Sequence, residues 1–489
     1  MHPKASPRAD DSFTFLEQHG GDLSHYDEAL SLERAKRTNG MRKIFSGSKN
    51  IVKHSSSMRS ISKLLDSDKP NIDIPSAIET YTSSDTTRII EFSNNLINCA
   101  ENTPNRLKQL LKSEEFLRVL VNSLGIEYPK DEVFIALIRT INSLFDLYDE
   151  ELQEELVDEG LCLYLMNMFA SENIEIVTAA LFLAITIGSS SSYGRDAVLS
   201  FGLHTSLIEI AKNQMSEDVT VLACRCLRTL FSTDGDIDST ILVDCIDPVI
   251  ELMQIPSKKT MTEVIECLIE MTNKMASLIY RFFEIGITGQ IIGLLDDTDL
   301  QGVALKLIGN MSVSQPAQIK EMLSFGLVNK LSSMSQSPYV SDVLWILSNL
   351  IESVPNLIIP LFNIDFIQQL ITLSNTCNSE VKREIAFLFA TLIIFSPSDV
   401  VLKLMIPEII GILVEMVGCG CSMVTLRCLD SIVAFIRIIN ITEKYDFVNL
   451  LLDEDIQDRI NDLLEYNDPP ILERAEFINL QITNFQNKM

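Results

Sequence analysis

Residues 199–211 read LSFGLHTSLIEIA, and residues 323–334 read LSFGLVNKLSSM. In both segments a glycine separates two short apolar runs, and a small or helix-breaking residue recurs at the same place in four further segments. These residues are Gly160, Gly202, Cys245, Gly286, Gly326 and Asp365. Successive members are 42, 43, 41, 40 and 39 residues apart. The chain is therefore an internal repeat, with each unit long enough for a short helix, a sharp turn, a second helix and a longer third helix.

The third helix of each unit shows the same period independently. With Trp345 as the reference, the equivalent positions are Asn94, Ile138, Phe182, Arg225, Glu266, Lys306, Phe387 and Asp430. Apolar residues follow helical spacing throughout, and the segment at 471–485 supplies a further capping helix. A period near 42 residues is typical of armadillo and HEAT arrays. The sequence predicts an all-α, armadillo-repeat, right-handed α-solenoid of about nine to ten repeats, covering residues 76–489.

Residues 1–75 differ from the rest in composition and charge. They are polar and Ser-rich without apolar periodicity, which predicts a flexible, disordered N-terminal tail. Residues 29–63 hold nine Lys and Arg against Glu33 alone, a net of +8. The whole chain carries −28, so residues 64–489 carry −32 once the 11 basic and 7 acidic residues of 1–63 are removed. A basic tail is joined to a strongly acidic body.

This balance excludes several classes of function. An acidic body argues against binding nucleic acid directly, because phosphates repel it. No apolar run has the length of a membrane-spanning helix, and the first residues lack the apolar core of a signal peptide, so we expect a protein that is soluble, intracellular and not bound to a membrane. Four of the five histidines lie in the first 54 residues, and the ten cysteines lack paired ligand spacing. We therefore expect no metal, no cofactor and no enzymatic activity.

The predicted third helices carry one complete set of peptide-binding side chains. In DVLWILSNL, Asp342, Trp345 and Asn349 lie on one strip of the helix. An Asn amide both donates to and accepts from a peptide main chain, an indole face packs on a Lys or Arg stem, and a carboxylate meets the charged head. Packing of Trp345 in the core is the alternative interpretation. Neighbouring repeats contribute further residues at the equivalent positions, namely Asn310, Glu384 and Phe387.

Three consecutive segments, ALKLIGN at 304–310, VLWILSN at 343–349 and VKREIAF at 381–387, resemble the sixth to eighth repeats of importin α (karyopherin α). The resemblance covers about residues 80–485. It implies an adaptor that binds basic nuclear localisation signals in a concave groove. The minor groove of that family corresponds to the strip around Trp345. In its major groove, this sequence departs from the Trp and Asn pattern, with Ile138, Phe182 and Arg225 at Trp positions. There the resemblance implies roles for Asn142 and Phe182.

The tail segment SLERAKRTNGMRKIF at 31–45 resembles the importin-β-binding segment of the same family. Its basic residues form two clusters, consisting of Arg34, Lys36 and Arg37 and of Arg42 and Lys43. The resemblance implies that the tail binds an importin-β-like carrier. The charge of +8 on residues 29–63, tethered to a body of −32, predicts that the tail occupies the acidic groove when the carrier is absent. The resemblance also implies a protein that shuttles between cytoplasm and nucleus and is monomeric when not carrier-bound.

The sequence leaves two hypotheses of function. The first is a nuclear import adaptor that binds proteins carrying basic localisation signals and links them to an importin-β carrier. The alternative is an armadillo-repeat scaffold for cytoskeletal or regulatory partners, without signal-peptide binding. An enzyme is a distant third, since no catalytic motif is present.

Overall fold

The computed structural model describes residues 72–145, 147–148, 150–359, 362, 364–452, 456–465 and 468–487. These residues divide into two compact units at the Arg281–Phe282 bond. We call residues 72–281 the N-terminal unit and the residues from 282 onward the C-terminal unit. The tail residues Arg34, Lys36, Arg37, Arg42 and Lys43 lie outside the described residues.

The N-terminal unit is built of α-helices joined by tight turns. The helices are α1 (Ile74–Thr82), α2 (Thr86–Asn102), α3 (Glu114–Asn122), α4 (Asp131–Phe145), α5 (Glu150–Leu156), α6 (Cys162–Phe169), α7 (Ile174–Ser190), α8 (Ser192–Ser200), α9 (Leu203–Asn213), α10 (Glu217–Ser232), α11 (Ser239–Glu251) and α12 (Lys258–Lys274). The long helices α2, α4, α7, α10 and α12 pack side by side in chain order. Helix α13 (Ile279–Ile285) contains the boundary with the second unit.

The C-terminal unit repeats the same arrangement. Its helices are α14 (Thr288–Gly293), α15 (Gln301–Met311), α16 (Pro316–Ser324), α17 (Leu327–Ser333), α18 (Val340–Ser353), α19 (Pro355–Ile358), α20 (Ile364–Ser374), α21 (Ser379–Phe395), α22 (Ser398–Leu404), α23 (Pro407–Val417), α24 (Ser422–Thr442), α25 (Val448–Leu452), α26 (Ile456–Leu463) and α27 (Pro469–Gln486). Here the long helices α15, α18, α21, α24 and α27 pack in chain order.

The described residues therefore form an all-α solenoid, and no strand occurs among them. Each predicted reference position of the third-helix series lies inside one long helix. Stacking is what buries the apolar faces, because a single three-helix unit cannot cover its own core. Capping side chains also mark the start of long helices. At the start of α21, for example, the Asn378 side chain accepts a hydrogen bond from the Val381 N–H at 2.9 Å.

Glycine turns separate the first two helices of a repeat at four of the six predicted positions. Gly160, Gly202, Gly286 and Gly326 all have positive φ, between 71° and 92°. Residues with a Cβ adopt that region only at a cost, so glycine at these positions sets the sharp turn.

The other two positions differ from the prediction. Cys245 lies inside the continuous helix α11, so the turn predicted there is absent and the two short helices are fused. The reason is that this repeat has no glycine to adopt positive φ at the turn. Pro248 also lies inside α11 and does not end the helix. Asp365 lies in the first turn of α20.

The start of the solenoid lies close to the predicted boundary. Helix α1 begins at Ile74 after the cap residue Asp73, whose carboxylate accepts a hydrogen bond from the Ser76 N–H at 3.1 Å. Ile72 is buried, and its N–H donates to the Arg106 carbonyl at 3.1 Å. The folded part therefore includes residues 72–75, which the sequence had placed in the tail.

Within the described part of the chain, no single helix combines the length and apolar character of a membrane span. Two consecutive helical segments, Ala276–Ile285 and Thr288–Asp296, reach that length and apolar character only when they are counted together, and they are bent relative to each other.

Candidate functional site

Helices α15, α18 and α21 of the C-terminal unit bring the predicted binding residues together. We call Asn310, Asp342, Trp345, Asn349 and Glu384 the Asn349 strip. All five side chains are buried, with exposed fractions between 0% for Trp345 and 9% for Glu384. Twelve of the 14 residues of α18 are buried, so the helix contacts neighbours on almost every side. The strip is thus buried in this structure, and its role in binding stays a prediction.

Trp345 packs against α15. A Cβ built on Gly309 would lie 1.9 Å from the indole ring, so the ring occupies the space that the glycine leaves. The prediction of an indole face open to a Lys or Arg stem is wrong for this structure, because the side chain is fully buried. The sequence did not identify Gly309, the last residue before Asn310 in ALKLIGN, as the packing partner of Trp345.

The same packing recurs between neighbouring repeats of this unit. A Cβ on Gly302 would lie 2.8 Å from the Tyr339 ring, and one on Gly289 would lie 2.6 Å from the Phe325 ring. Three glycines of one repeat thus receive three aromatic rings of the next. Close-packed contacts of this kind hold adjacent repeats in a fixed register, because interiors tolerate little change in volume.

The Asn349 side chain donates one hydrogen bond, but its carbonyl oxygen accepts none from a described residue. Its Nδ2 donates to the Ser312 hydroxyl at 2.9 Å, which fixes the orientation of the side chain. No donor among the described residues reaches its Oδ1 atom, although the residue is only 1% exposed. A buried acceptor without a donor costs free energy, so an N–H that reached this atom would stabilise it.

Asp342 is at the centre of a group of charged side chains. Its pKa is raised to about 7, chiefly by burial; Lys306 on α15 lowers the pKa, and the carboxylates of Glu380 and Glu384 on α21 raise it. Three carboxyl groups thus lie near one lysine. A cationic side chain entering this group would relieve repulsion among the carboxylates and pair with Asp342.

Phe387 already contacts a cation of the same chain. The Arg427 guanidinium carbon lies 5.0 Å from the centre of the Phe387 ring, and the Arg427 Nη2 atom lies 2.9 Å from the Glu352 carboxylate. All three side chains are buried. The prediction that Phe387 receives the stem of a ligand side chain is corrected, because Arg427 covers its face. Glu352 and Arg427 are functional-site neighbours that sequence reasoning missed, since helices two repeats apart supply them.

The remaining two predicted residues lie in the N-terminal unit. The Asn142 side-chain carbonyl accepts a hydrogen bond from the Thr186 hydroxyl at 2.7 Å, so α4 and α7 are linked at the predicted Asn positions. Phe182 is half exposed, at 50%. Arg225, at the next Trp position, forms an ion pair with Glu263 of α12 at 2.8 Å. The structure thus places Asn142 and Phe182 in one unit and the Asn349 strip in the other.

Comparison with solved structures finds a similar chain in the crystal structure of an engineered protein, at a TM-score of 0.67 and 18% sequence identity, covering 84% of this chain and 99% of that one. A designed armadillo repeat protein also matches, at a TM-score of 0.35 and 17% identity, covering 57% of this chain and 100% of that one. No family model and no curated protein sequence matches this chain. At these identities the likeness concerns the fold alone, and the stacked helices of the described residues form an all-α repeat solenoid.

Proposed function

We propose that this protein is a transport adaptor that binds basic peptide segments in extended form on the Asn349 strip. The observation that supports this most is that the buried Asn349 Oδ1 atom receives no hydrogen bond from a described residue, together with the group of carboxyls formed by Asp342, Glu380 and Glu384. The acceptor would hold the peptide main chain, and the carboxylates would select Lys or Arg. Nuclear localisation signals have this chemistry, so the cargo would be proteins that carry them.

The tail supplies the second half of the proposal. Residues 29–63 carry +8, and the Arg34, Lys36 and Arg37 cluster has the chemistry of a basic signal. We propose that this cluster, with Arg42 and Lys43, competes for the Asn349 strip and is withdrawn by an importin-β-like carrier. A tethered ligand acts at an effective concentration near millimolar, so even weak intrinsic affinity reduces cargo binding. Carrier and cargo would then bind with positive coupling, and the protein would shuttle between cytoplasm and nucleus.

Titration of a fluorescent peptide that contains Lys and Arg tests the binding site. Asp342→Asn combined with Glu384→Gln removes two carboxylates while keeping side-chain size. We expect at least tenfold weaker binding, in line with loss of charge-assisted contacts of about 1.5–3 kcal/mol each. Glu408→Gln, which changes an exposed carboxylate in the first turn of α23, is the matched control and should leave affinity unchanged. Equal affinity of all three proteins would reject the site.

The alternative is a scaffold that binds partners without recognising basic segments. It predicts that the peptide of Lys and Arg binds no more tightly than a control peptide in which Ser and Gln replace the Lys and Arg residues. The same titration separates the two functions.

A further inference from the structure

A second surface, in the N-terminal unit, contains few carboxylates. Beyond their first turns, the long helices α4, α7 and α10 contain no Asp or Glu, in residues 133–145, 176–190 and 219–232. They contain three cationic side chains, Arg139, Arg225 and Arg228. In a chain with 67 acidic residues, three adjacent helices without a carboxylate beyond their first turns form a local region that attracts a basic ligand less than the rest of the chain does.

An uncharged strip with an exposed aromatic ring runs along α7. Ile174, Thr178, Phe182 and Thr186 are spaced four residues apart and therefore share one side of the helix. Phe182 is 50% exposed and Ile174 is 44% exposed, while Thr178 is partly exposed. A half-exposed Phe on a long, otherwise well-buried helix is available for contact with a partner side chain.

The arginines beside this strip turn their charge outward. The Arg225 Nη2 atom lies 2.8 Å from a Glu263 oxygen, and the Arg228 Nε atom lies 3.1 Å from the other oxygen of the same carboxylate. The Glu263 side chain is only 9% exposed, whereas Arg225 is 46% and Arg228 is 30% exposed. Arg228 also pairs with Glu266. The counter-charge of Glu263 is thus buried beneath the guanidinium groups, which solvent and a partner can reach.

The neighbouring helix adds a main-chain contact group. Asn142 of α4 is partly exposed, and its side-chain carbonyl is held by the Thr186 hydroxyl at 2.7 Å. This bond engages the side-chain carbonyl, so the amide NH₂ group of Asn142 can donate to a peptide carbonyl. We call Asn142, Thr178, Phe182, Thr186 and Arg225 the Phe182 face.

We infer that the Phe182 face binds a partner protein through an extended segment in which a large apolar side chain is flanked by carboxylates. The apolar side chain would cover the Phe182 ring, the carboxylates would pair with Arg225 and Arg139, and the main chain would contact Asn142 and Thr186. Charge complementarity decides the class of partner. Arg139, Arg225 and Arg228 outnumber the two carboxylates that pair with Arg225 and Arg228, Glu263 and Glu266. This binding is separate from the proposed function of the Asn349 strip and does not depend on it.

Two synthetic peptides test the inference on the full-length chain. The first has two Phe residues flanked by Asp, and the second is identical except that Lys replaces each Asp. We expect the Asp peptide to bind and the affinity to fall as salt rises, since the contact is partly ionic. Phe182→Ala should weaken its binding by about tenfold or more, the effect of losing an aromatic hot spot. Arg139→Met should weaken it without disturbing the Arg225–Glu263 pair.

Phe201→Ala is the matched control, because Phe201 is a similarly exposed phenylalanine at the end of α8 in the same unit. It should bind the Asp peptide as the unchanged protein does. Thermal melting of each variant identifies any loss of folding, and Phe182→Leu should keep part of the affinity if Phe182 acts through contact. The inference is overturned if the Asp peptide does not bind, if the Lys peptide binds as tightly, or if Phe182→Ala and Phe201→Ala have equal effects.

Discussion

At the scale of single residues, the packing of Trp345 on Gly309 decides how the Asn349 strip is built. Gly309→Ala would place a Cβ 1.9 Å from the indole, so ring or backbone must move. We expect a loss of unfolding free energy of about 1–3 kcal/mol, the usual cost of overpacking a core. Urea denaturation followed by circular dichroism measures it.

A double-mutant cycle checks the cause. Trp345→Ala alone should cost about 3–5 kcal/mol, because it opens a large cavity. In that background Gly309→Ala should cost far less than it does alone, since the ring that it meets is gone. Equal costs of Gly309→Ala in both backgrounds would show that the two residues are not coupled.

Asp342 should make binding of a basic peptide depend on pH. Its pKa is raised to about 7, because it is buried and lies near Glu380 and Glu384, with only Lys306 opposing. The carboxyl group is thus mostly protonated at pH 6 and mostly ionised at pH 8. Only the ionised form pairs with a cation, so affinity for a peptide of Lys and Arg should rise by up to about tenfold from pH 6 to pH 8.

The stability of the free protein should change in the opposite direction. A carboxyl group whose pKa is higher in the folded state than in the unfolded state favours folding when protonated. This contribution is complete below the unfolded pKa near 4 and is lost as pH rises through about 7.

Asp342→Asn should remove the pH dependence of peptide affinity between pH 6 and pH 8. An unchanged pH profile of peptide affinity would contradict the role of Asp342.

The chemistry of individual residues was predictable, but their exposure was not. The spacing of Asp342, Trp345 and Asn349 predicted one side of a helix, and all three side chains are buried in α18. Burial depends on what neighbouring repeats contribute, such as the Gly309 notch for Trp345 and the Arg427 cation over Phe387. A sequence period gives no information about these partners, since they lie 36 and 40 residues away.

At the scale of elements, glycine turns set the repeat. Gly326 has a φ of 75° and nothing lies within 4 Å of an added Cβ, so any cost of Gly326→Ala comes from backbone conformation. We expect destabilisation of about 1–2 kcal/mol. Gly293, in helical conformation with equally open surroundings, is the control, and Gly293→Ala should be neutral or stabilising. Similar effects of both substitutions in thermal melting would show that positive φ is not the cause.

The elements themselves followed from periodicity. Every reference position of the third-helix series lies in a long helix, because the apolar stripe that specifies the helix also specifies its burial against the next repeat. The prediction failed at Cys245, where a residue with a Cβ replaces the turn glycine and α11 continues through it. There the repeat keeps its length but loses its internal break.

At the scale of the whole molecule, the basic tail and the acidic body should compete with an added ligand. Deleting residues 1–63 removes 11 basic and 7 acidic residues and leaves Ile72 and the α1 cap Asp73 in place. We expect the shortened chain to bind a basic peptide several-fold more tightly at low salt, with a smaller difference at high salt. Replacing the five basic residues of the 34–43 segment by Ser in the full chain should have the same effect. Equal affinity of full and shortened chains at low salt would exclude the competition.

The central claim is that a basic segment lies on the Asn349 strip, and photo-cross-linking tests its location most directly. A Lys- and Arg-containing peptide with a photoreactive residue at its centre is bound to the chain lacking residues 1–63, and the cross-linked residues are identified by mass spectrometry. We expect cross-links to α15, α18 and α21, around Asn310, Asn349 and Glu384, and their loss when Asp342→Asn and Glu384→Gln are combined. Cross-links concentrated on α4 and α7, around Asn142 and Phe182, would contradict the account.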